Sequence, residues 1–170
     1  KIIKQRSIDA VTEGFINLHP SLLPYNRGMH PYYWSVVDDT PAGVSIHFID
    51  SKIDEGDILF QKEIDTPITT TGALLYDEAL KTIISLFKDS YMSIKTKSYT
   101  RKKQDYSRST FHLGKDIDSH SMIDLERDYN ALDLINILRA RSFPGNPSSY
   151  FMYKGKKYYI NITITDSNEI

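Results

Sequence analysis

Short apolar runs alternate with polar breaks along this chain, and the period of each run predicts an element. Over residues 15–19, Phe15-Ile16-Asn17-Leu18-His19, the period is two, which places Asn17 and His19 on one face of a strand and Ile16 and Leu18 on the other. Pro20 removes a backbone donor and stops the strand, so both polar side chains fall at its carboxyl end, where open α/β sheets bind ligands. A second strand is expected over residues 44–50, with Val44, Ile46 and Phe48 alternating with Ser45, His47 and Ile49, and a third over Ile58–Ile64. Residues 50–57 then form the loop between them, with Asp54 near its tip and Gly56 in a tight turn.

Other segments carry the helical period. Ile8-Asp9-Ala10-Val11 reads as a short helix running into Gly14, and residues 30–37, with Tyr32, Tyr33, Trp34, Val36 and Val37, as a helix packed on the sheet, His30 capping it or facing solvent. Thr69-Thr70-Thr71 offers an N-cap for a long helix from Gly72 to about Tyr91. Leu75, Ala79, Ile83, Phe87 and Tyr91, with Leu80 and Ile84 alongside, are its expected core stripe. Asn130 caps a further helix with Asp133 three residues on; Ala131, Leu134, Ile135 and Leu138 form its buried stripe, and Arg139 and Arg141 close it. After a loop over residues 142–147 comes a hairpin, residues 149–153 and 157–165, turned at Lys154-Gly155-Lys156, with Tyr158, Ile160, Ile162 and Ile164 on one face. The fold class is α/β with a small α+β segment at the end.

Composition narrows the picture a little. With 170 residues, 40% hydrophobic and 25% charged, the chain fits one ordinary globular domain, or one domain and a small appendage. A net charge of −1 favours no polyanionic partner for the whole chain, absent cysteine excludes disulfide and thiol chemistry and fits a reducing cytoplasm, and no apolar run reaches the length of a membrane span. Charge matters locally. Lys95, Lys97, Arg101, Lys102, Lys103, Arg108 and Lys115 face one acid, Asp105, over residues 95–115. That run is expected as a solvated linker over 96–115 between a core at 1–95 and a C-terminal subdomain at 116–170; its functional alternative is a basic rim facing a diphosphate or tRNA.

Candidate chemistry centres on the two strand ends. An amide (Asn17), an imidazole (His19) and a carboxylate from the 50–57 loop make an acyl-transfer constellation: a donor for an oxyanion, a titratable base and a charge that orients it. Spacing does not choose among Asp50, Asp54, Glu55 and Asp57. His47, inside its strand, reads as a satisfied structural histidine. His19, His30 and His47 lack the spacing of a metal-ligand cluster, so no metal is expected.

Asn17-x-His19-Pro20-Ser21-Leu22-Leu23-Pro24, then Asn26-Arg27-Gly28, Gly43-Val44-x-Ile46-His47 and Asp54-x-Gly56-Asp57, in this order and spacing, resemble the folate-dependent formyltransferase family. The variant Pro24-Tyr25-Asn26-Arg27-Gly28, with Trp34 and Thr40-Pro41-Ala42-Gly43 after it and Arg139-Ala140-Arg141-Ser142-Phe143-Pro144-Gly145 near the end, is most similar to the nucleotide-sugar N-formyltransferases of the dTDP-4-amino-4,6-dideoxyglucose type.

The resemblance implies a Rossmann-like domain and transfer of a formyl group from 10-formyltetrahydrofolate, the co-substrate, to the amine of a nucleotide-linked amino sugar, usually a dTDP-amino-dideoxyhexose, in the cytoplasmic synthesis of surface polysaccharide such as lipopolysaccharide O-antigen. It implies Asn17, His19 and Asp54 as catalytic residues, His19 acting as base or as oxyanion stabiliser. Ser21, Leu22, Leu23, Pro24, Asp50 and Ile53 are implied folate contacts; Tyr25, Asn26, Arg27, Gly28, Arg141, Phe143 and Tyr150 are implied substrate contacts. A homodimer through the hairpin is compatible with it. The family pattern has strands and helices before Asn17-x-His19, and Lys1-Ile2-Ile3-Lys4 begins without Met, so the chain is expected to start inside a larger protein. Two transferases compete. Methionyl-tRNA formyltransferase shares Asn-x-His and Leu-Leu-Pro but carries a larger basic C-terminal barrel; glycinamide ribonucleotide formyltransferase lacks the Asn26-Arg27-Gly28 variant and this C-terminal region. From another class, a truncated piece would bind a nucleotide sugar or pair through strand edges without transferring anything.

Overall fold

The computed structural model describes Ile3 and residues 5–169; the opening residues 1, 2 and 4 lie outside the described residues. In chain order the elements are α1 (Gln5–Asp9), β1 (Ile16–His19), β2 (Arg27–Gly28), α2 (Pro31–Val37), β3 (Ala42–Phe48), β4 (Ile58–Ile64), α3 (Gly72–Lys95), β5 (Phe111–His112), α4 (Asp116–His120), α5 (Ala131–Ala140), β6 (Ser149–Tyr153) and β7 (Lys156–Ile160). The fold is mixed α/β.

The main sheet has the order β1-β3-β4, with both pairings antiparallel. The register sets Asn17 opposite His47 and His19 opposite Ser45, so these four polar side chains share one face. The other face carries Val44, Ile46 and Phe48, which pack with Leu59 on β4 and with Ala79 and Ile83 of α3. Each such aliphatic side chain contributes roughly 1.5–3 kcal/mol by leaving water. Helix α3 begins as expected, with Thr71 accepting from the Leu74 amide. Its buried stripe is narrower than expected. Leu75, Ala79 and Ile83 are buried, whereas Leu80, Ile84 and Tyr91 stay exposed. The reason is geometric: positions 80 and 84 lie about 100° around the helix from 79 and 83, beyond what this narrow sheet covers.

A second core cluster joins Tyr33, Trp34 and Val36 of α2 with Ala42, Leu75, Ile117 and Ala140. Ile117 and Ala140 come from the expected C-terminal subdomain, so α4 and α5 pack into the same body as α2 and α3. Gly72 is required at this junction, because a Cβ there would run into the Ala140 carbonyl. Arg139, expected as a closing charge at the helix end, is buried and donates to the carbonyls of Thr70 at 2.7 Å and Pro67 at 3.3 Å, tying α5 to the start of α3.

Residues 96–115 are not a free solvated linker. Lys102 exchanges backbone hydrogen bonds with Ile58 at 2.8 and 2.9 Å, and Phe111–His112 pairs in parallel with Arg27–Gly28. The basic side chains point outward while the backbone runs along the sheet edge, which explains why the composition looks like a linker. The hairpin is also shorter than expected: β7 ends at Ile160, opposite Ser149, and Ile162 and Ile164 follow the last pair. Pro147, just before β6, has no amide to extend the ladder.

Candidate active site

Strand alternation and one loop build the site. β1 delivers Asn17 and His19, β3 delivers His47, and the loop after β3 returns Asp54 above them. That loop closes through Phe48 N to Asp57 O at 2.9 Å and Ile49 N to Phe15 O at 2.8 Å. Gly56 lies against the Phe48 carbonyl, where a Cβ would clash. Asp54 itself is left-handed (φ 53°), a conformation that Asp tolerates better than most residues. Its Oδ2 accepts from the Gly28 amide at 3.0 Å, which fixes the carboxylate over the strand ends.

The charged atoms converge on two ring nitrogens. Asp54 Oδ2 lies 3.6 Å from His19 Nε2, and Asp54 Oδ1 lies 3.7 Å from His47 Nε2. Asn17 Nδ2 is 3.2 Å from His47 Nε2. His47 Nδ1 donates to the Phe48 carbonyl at 2.8 Å, so in the neutral ring Nε2 is an acceptor and takes one Asn17 N–H, leaving the other free. His47 is the buried, satisfied histidine expected inside its strand, bonded to Phe48, and it is also the side chain that holds Asn17. The signal was available in the alternation of residues 44–50 once β3 runs antiparallel to β1.

His19 is buried, and its Nε2 has no hydrogen-bond partner among the described residues. Its other ring nitrogen is the one available to the Asn26 carbonyl, so that carbonyl, rather than Asp54, selects the tautomer. Burial lowers the His19 pKa to about 4, against the opposing pull of Asp54, while His47 adds to the lowering. Burial lowers the His47 pKa as well, opposed by Asp54 and the Phe48 carbonyl. His19 is therefore neutral at pH 7, with a lone pair directed away from its anchoring carbonyl and a carboxylate beside it.

His19 lines a cleft of about 720 Å³, a size suited to a small ligand. Gly28 lies beside His19 in its wall, with Arg141, Phe143, Tyr32 and Tyr76 further along. The Tyr32 ring packs 4.9 Å from Phe143 and 5.1 Å from Tyr76. Arg141 pairs with Asp118 at 2.9 Å. His30 is the N-cap residue of α2 without a side-chain cap, and its Nδ1 meets the Tyr32 hydroxyl at 2.8 Å.

Three expected substrate residues, Gly28, Arg141 and Phe143, thus share a cleft with His19, and four do not. Asn26 is 1% exposed and spends its amide on Thr40 and Thr110. Arg27 is held by Glu55 and Ser109. Tyr25 faces a different cavity, and Tyr150 sits on the hairpin beneath Lys157. Of the expected folate contacts, Leu22, Leu23 and Pro24 line that other cavity and Ser21 donates to the Tyr25 carbonyl. Asp50 and Ile53 are exposed on the loop that carries Asp54, Asp50 capping the Lys52 amide. Tyr32 belongs to a helix expected to pack on the sheet, and nothing in the spacing of Tyr32 and Tyr76 marks a cleft. No group of three or more His, Asp or Glu side chains among the described residues is arranged to hold a metal.

Comparison with known proteins completes the description. Residues 1–86 match the family described as Formyl transferase, and residues 116–166 match the N-formyltransferase dimerization C-terminal domain. The chain is 28% identical over 164 residues to the dTDP-4-amino-4,6-dideoxyglucose formyltransferase of Mycobacterium tuberculosis, covering 95% of this chain and 70% of that one. A crystal structure of a 4-N formyltransferase from Francisella tularensis superposes with a TM-score of 0.90 at 29% identity, over 98% of this chain and 68% of that chain. The N-formyltransferase of Helicobacter canadensis, solved with folinic acid and dTDP-3-aminofucose, gives a TM-score of 0.69 at 25% identity, over 84% of this chain and 52% of that chain. With its leading half matched to the transferase domain and its end to the dimerization domain, this chain belongs to the formyltransferase family.

Proposed function

We propose that this chain carries the transfer site for moving a formyl group from 10-formyltetrahydrofolate to the amine of a nucleotide-linked amino sugar. The observation that carries the reading is the neutral, buried His19 with an unpartnered Nε2 at the end of an aromatic and arginine-lined cleft. An amine attacking a carbonyl must lose a proton, and Nε2 is the base placed to take it. The resulting imidazolium sits 3.6 Å from the Asp54 carboxylate. The free N–H of Asn17 is the donor for negative charge that builds on the formyl oxygen. Asp50 and Ile53 lie on the loop side, where the folate is proposed to approach, and the cleft with Phe143 and Arg141 is proposed for the nucleotide sugar. The complex of the Helicobacter canadensis relative supports both ligands.

The C-terminal match to the dimerization domain of N-formyltransferases favours the sugar reading over methionyl-tRNA. In its finer form the reading places the reaction in the cytoplasm, where the folate donor and nucleotide sugars are made, and its product in surface polysaccharide. No helix among the described residues is long and apolar enough to cross a membrane. The deciding assay incubates the chain with 10-formyltetrahydrofolate and a panel of dTDP- and UDP-linked amino sugars, with methionyl-tRNA as competitor. A formylated sugar in the mass spectrum is expected; formyl transfer to methionyl-tRNA alone would sink the proposal.

The hairpin leaves Met152, Tyr153, Tyr158 and Tyr159 exposed, and its family match names a dimerization domain. We propose a homodimer through the exposed aromatic side chains of this hairpin, Tyr153 and Tyr158 on one of its faces and Tyr159 on the other. Light scattering of the double substitution Tyr158→Glu, Tyr159→Glu, which charges both faces, is expected to read a monomer where the parent chain reads a dimer; an unchanged dimer rules the hairpin out.

A further inference from the structure

A second cavity, of about 560 Å³, lies beside the catalytic loop and contains no residue of the His19 cleft. Its apolar lining comes from Leu22, Pro24, Tyr25 and Ile58. Its charged lining includes the basic run that the transfer site leaves unused: Lys102, which is paired with Ile58, Lys103 and Arg108. None of these three cations forms an ion pair among the described residues. Arg108 reaches over the Tyr25 ring, 5.2 Å from its centroid, which brings a cation and an aromatic face together. Two acids, Glu63 and Asp105, share the lining, but Asp105 is occupied at its Oδ1 by the amide and hydroxyl of Ser107. The balance is cationic.

Between the cavity and the transfer site stands Gln104. It lines the cavity and is 6% exposed. Its Nε2 donates to the Asp54 and Gly56 carbonyls, both at 2.8 Å, so both amide hydrogens are committed to the catalytic loop. Its Oε1 is buried with no partner among the described residues. A native structure rarely leaves such an acceptor empty, and a donor carried by a bound molecule is one way to fill it.

We propose that this cavity binds a small phosphorylated ring compound, a nucleoside monophosphate in chemical class, and that Gln104 passes its occupancy to the Asp54 loop. The ring lies against Leu22 and Tyr25, an N–H of its exocyclic amino group serves Gln104, and the phosphate meets Lys102, Lys103 and Arg108. The cavity shares no lining residue with the His19 cleft, and its test needs no turnover.

The chain is titrated with adenosine 5′-monophosphate and followed by amide NMR, with inorganic phosphate as the anion-only control. Saturable shifts are expected at Leu22, Tyr25, Ile58 and Gln104, and secondarily at Asp54 and Gly56, while His30 and Phe143 stay still. The exposed-residue variant Lys102→Gln, Arg108→Gln is expected to bind at least tenfold more weakly. Gln104→Leu is expected to keep the shifts at Leu22 and Ile58 and to lose those at Asp54; if that variant does not fold, Gln104→Glu replaces it with the same expectation. Absence of saturable shifts, shifts centred on His30 and Phe143, equal binding by the Gln variant, or identical saturation by inorganic phosphate would each overturn the proposal.

Discussion

Replacing His19 by Gln is expected to lower kcat/KM for formyl transfer by roughly 10²–10⁴-fold, the range lost when a positioned base is removed. Gln is close in volume to the imidazole and, like it, uncharged, so the cleft should keep its shape and KM should change little. The pH behaviour sharpens the expectation. With a pKa lowered to about 4, His19 holds its lone pair across neutral pH, so the rate of the parent chain should stay flat toward mild acid and fall only as pH approaches 4. Stability carries the same signature. Because burial lowers the folded pKa below the ordinary 6.5, the unfolded chain binds the proton more tightly between the two values, so stability rises with pH through that window and is lost as pH falls from 6.5 toward 4. His19→Gln removes this proton and should flatten the acid side of a pH–Tm curve. A parent rate that already falls by half near pH 6.5, or a variant retaining near-normal turnover, would remove His19 from the role of base.

How much of this was legible in the residues follows from which forces are local. Strand period and proline punctuation sufficed for residues 16–19, and β4 came out at its expected bounds, because one buried face imposes a period of two. Thr71 and Asn130 act as caps because a side-chain oxygen satisfies an adjacent amide, a purely local event. The two-residue pairing of β2 with β5 was invisible. Its strands are too short to show a period, and Gly28 is demanded by its positive φ of 92° and by the His112 carbonyl, which a Cβ would strike, far along the chain. The same holds for Gln104, a lone polar residue in a basic stretch whose burial depends on the loop it holds. Tyr25, Asn26 and Arg27 look like ligand contacts in a line of sequence, yet the fold spends them on Arg108, Thr40 with Thr110, and Glu55. Which of several adjacent polar residues faces a cleft depends on long-range pairing, and no local pattern carries that information.

Asp54→Asn should produce the second large loss, on the order of 100-fold in kcat, with a pH profile that separates its role from that of a structural loop residue. The carboxylate faces His19 Nε2 at 3.6 Å, the nitrogen proposed to take the proton, while the tautomer is held from the other side by Asn26. In the proposed mechanism its contribution is therefore charge: it stabilises the imidazolium formed as the amine is deprotonated, a gain made only as the reaction proceeds. Asn keeps an oxygen able to accept from the Gly28 amide and is tolerated at the left-handed backbone of this position, so the loop should survive. Removing the negative charge also removes the influence that raises the His19 pKa, so the acid limb of the rate profile should move to lower pH even as the plateau drops. A loop merely loosened by mutation would let water reach His19 and return its pKa toward 6.5, moving the limb the other way. The direction of that shift, read from kcat/KM between pH 3.5 and 8 in parent and variant, decides between an electrostatic partner and a scaffold residue.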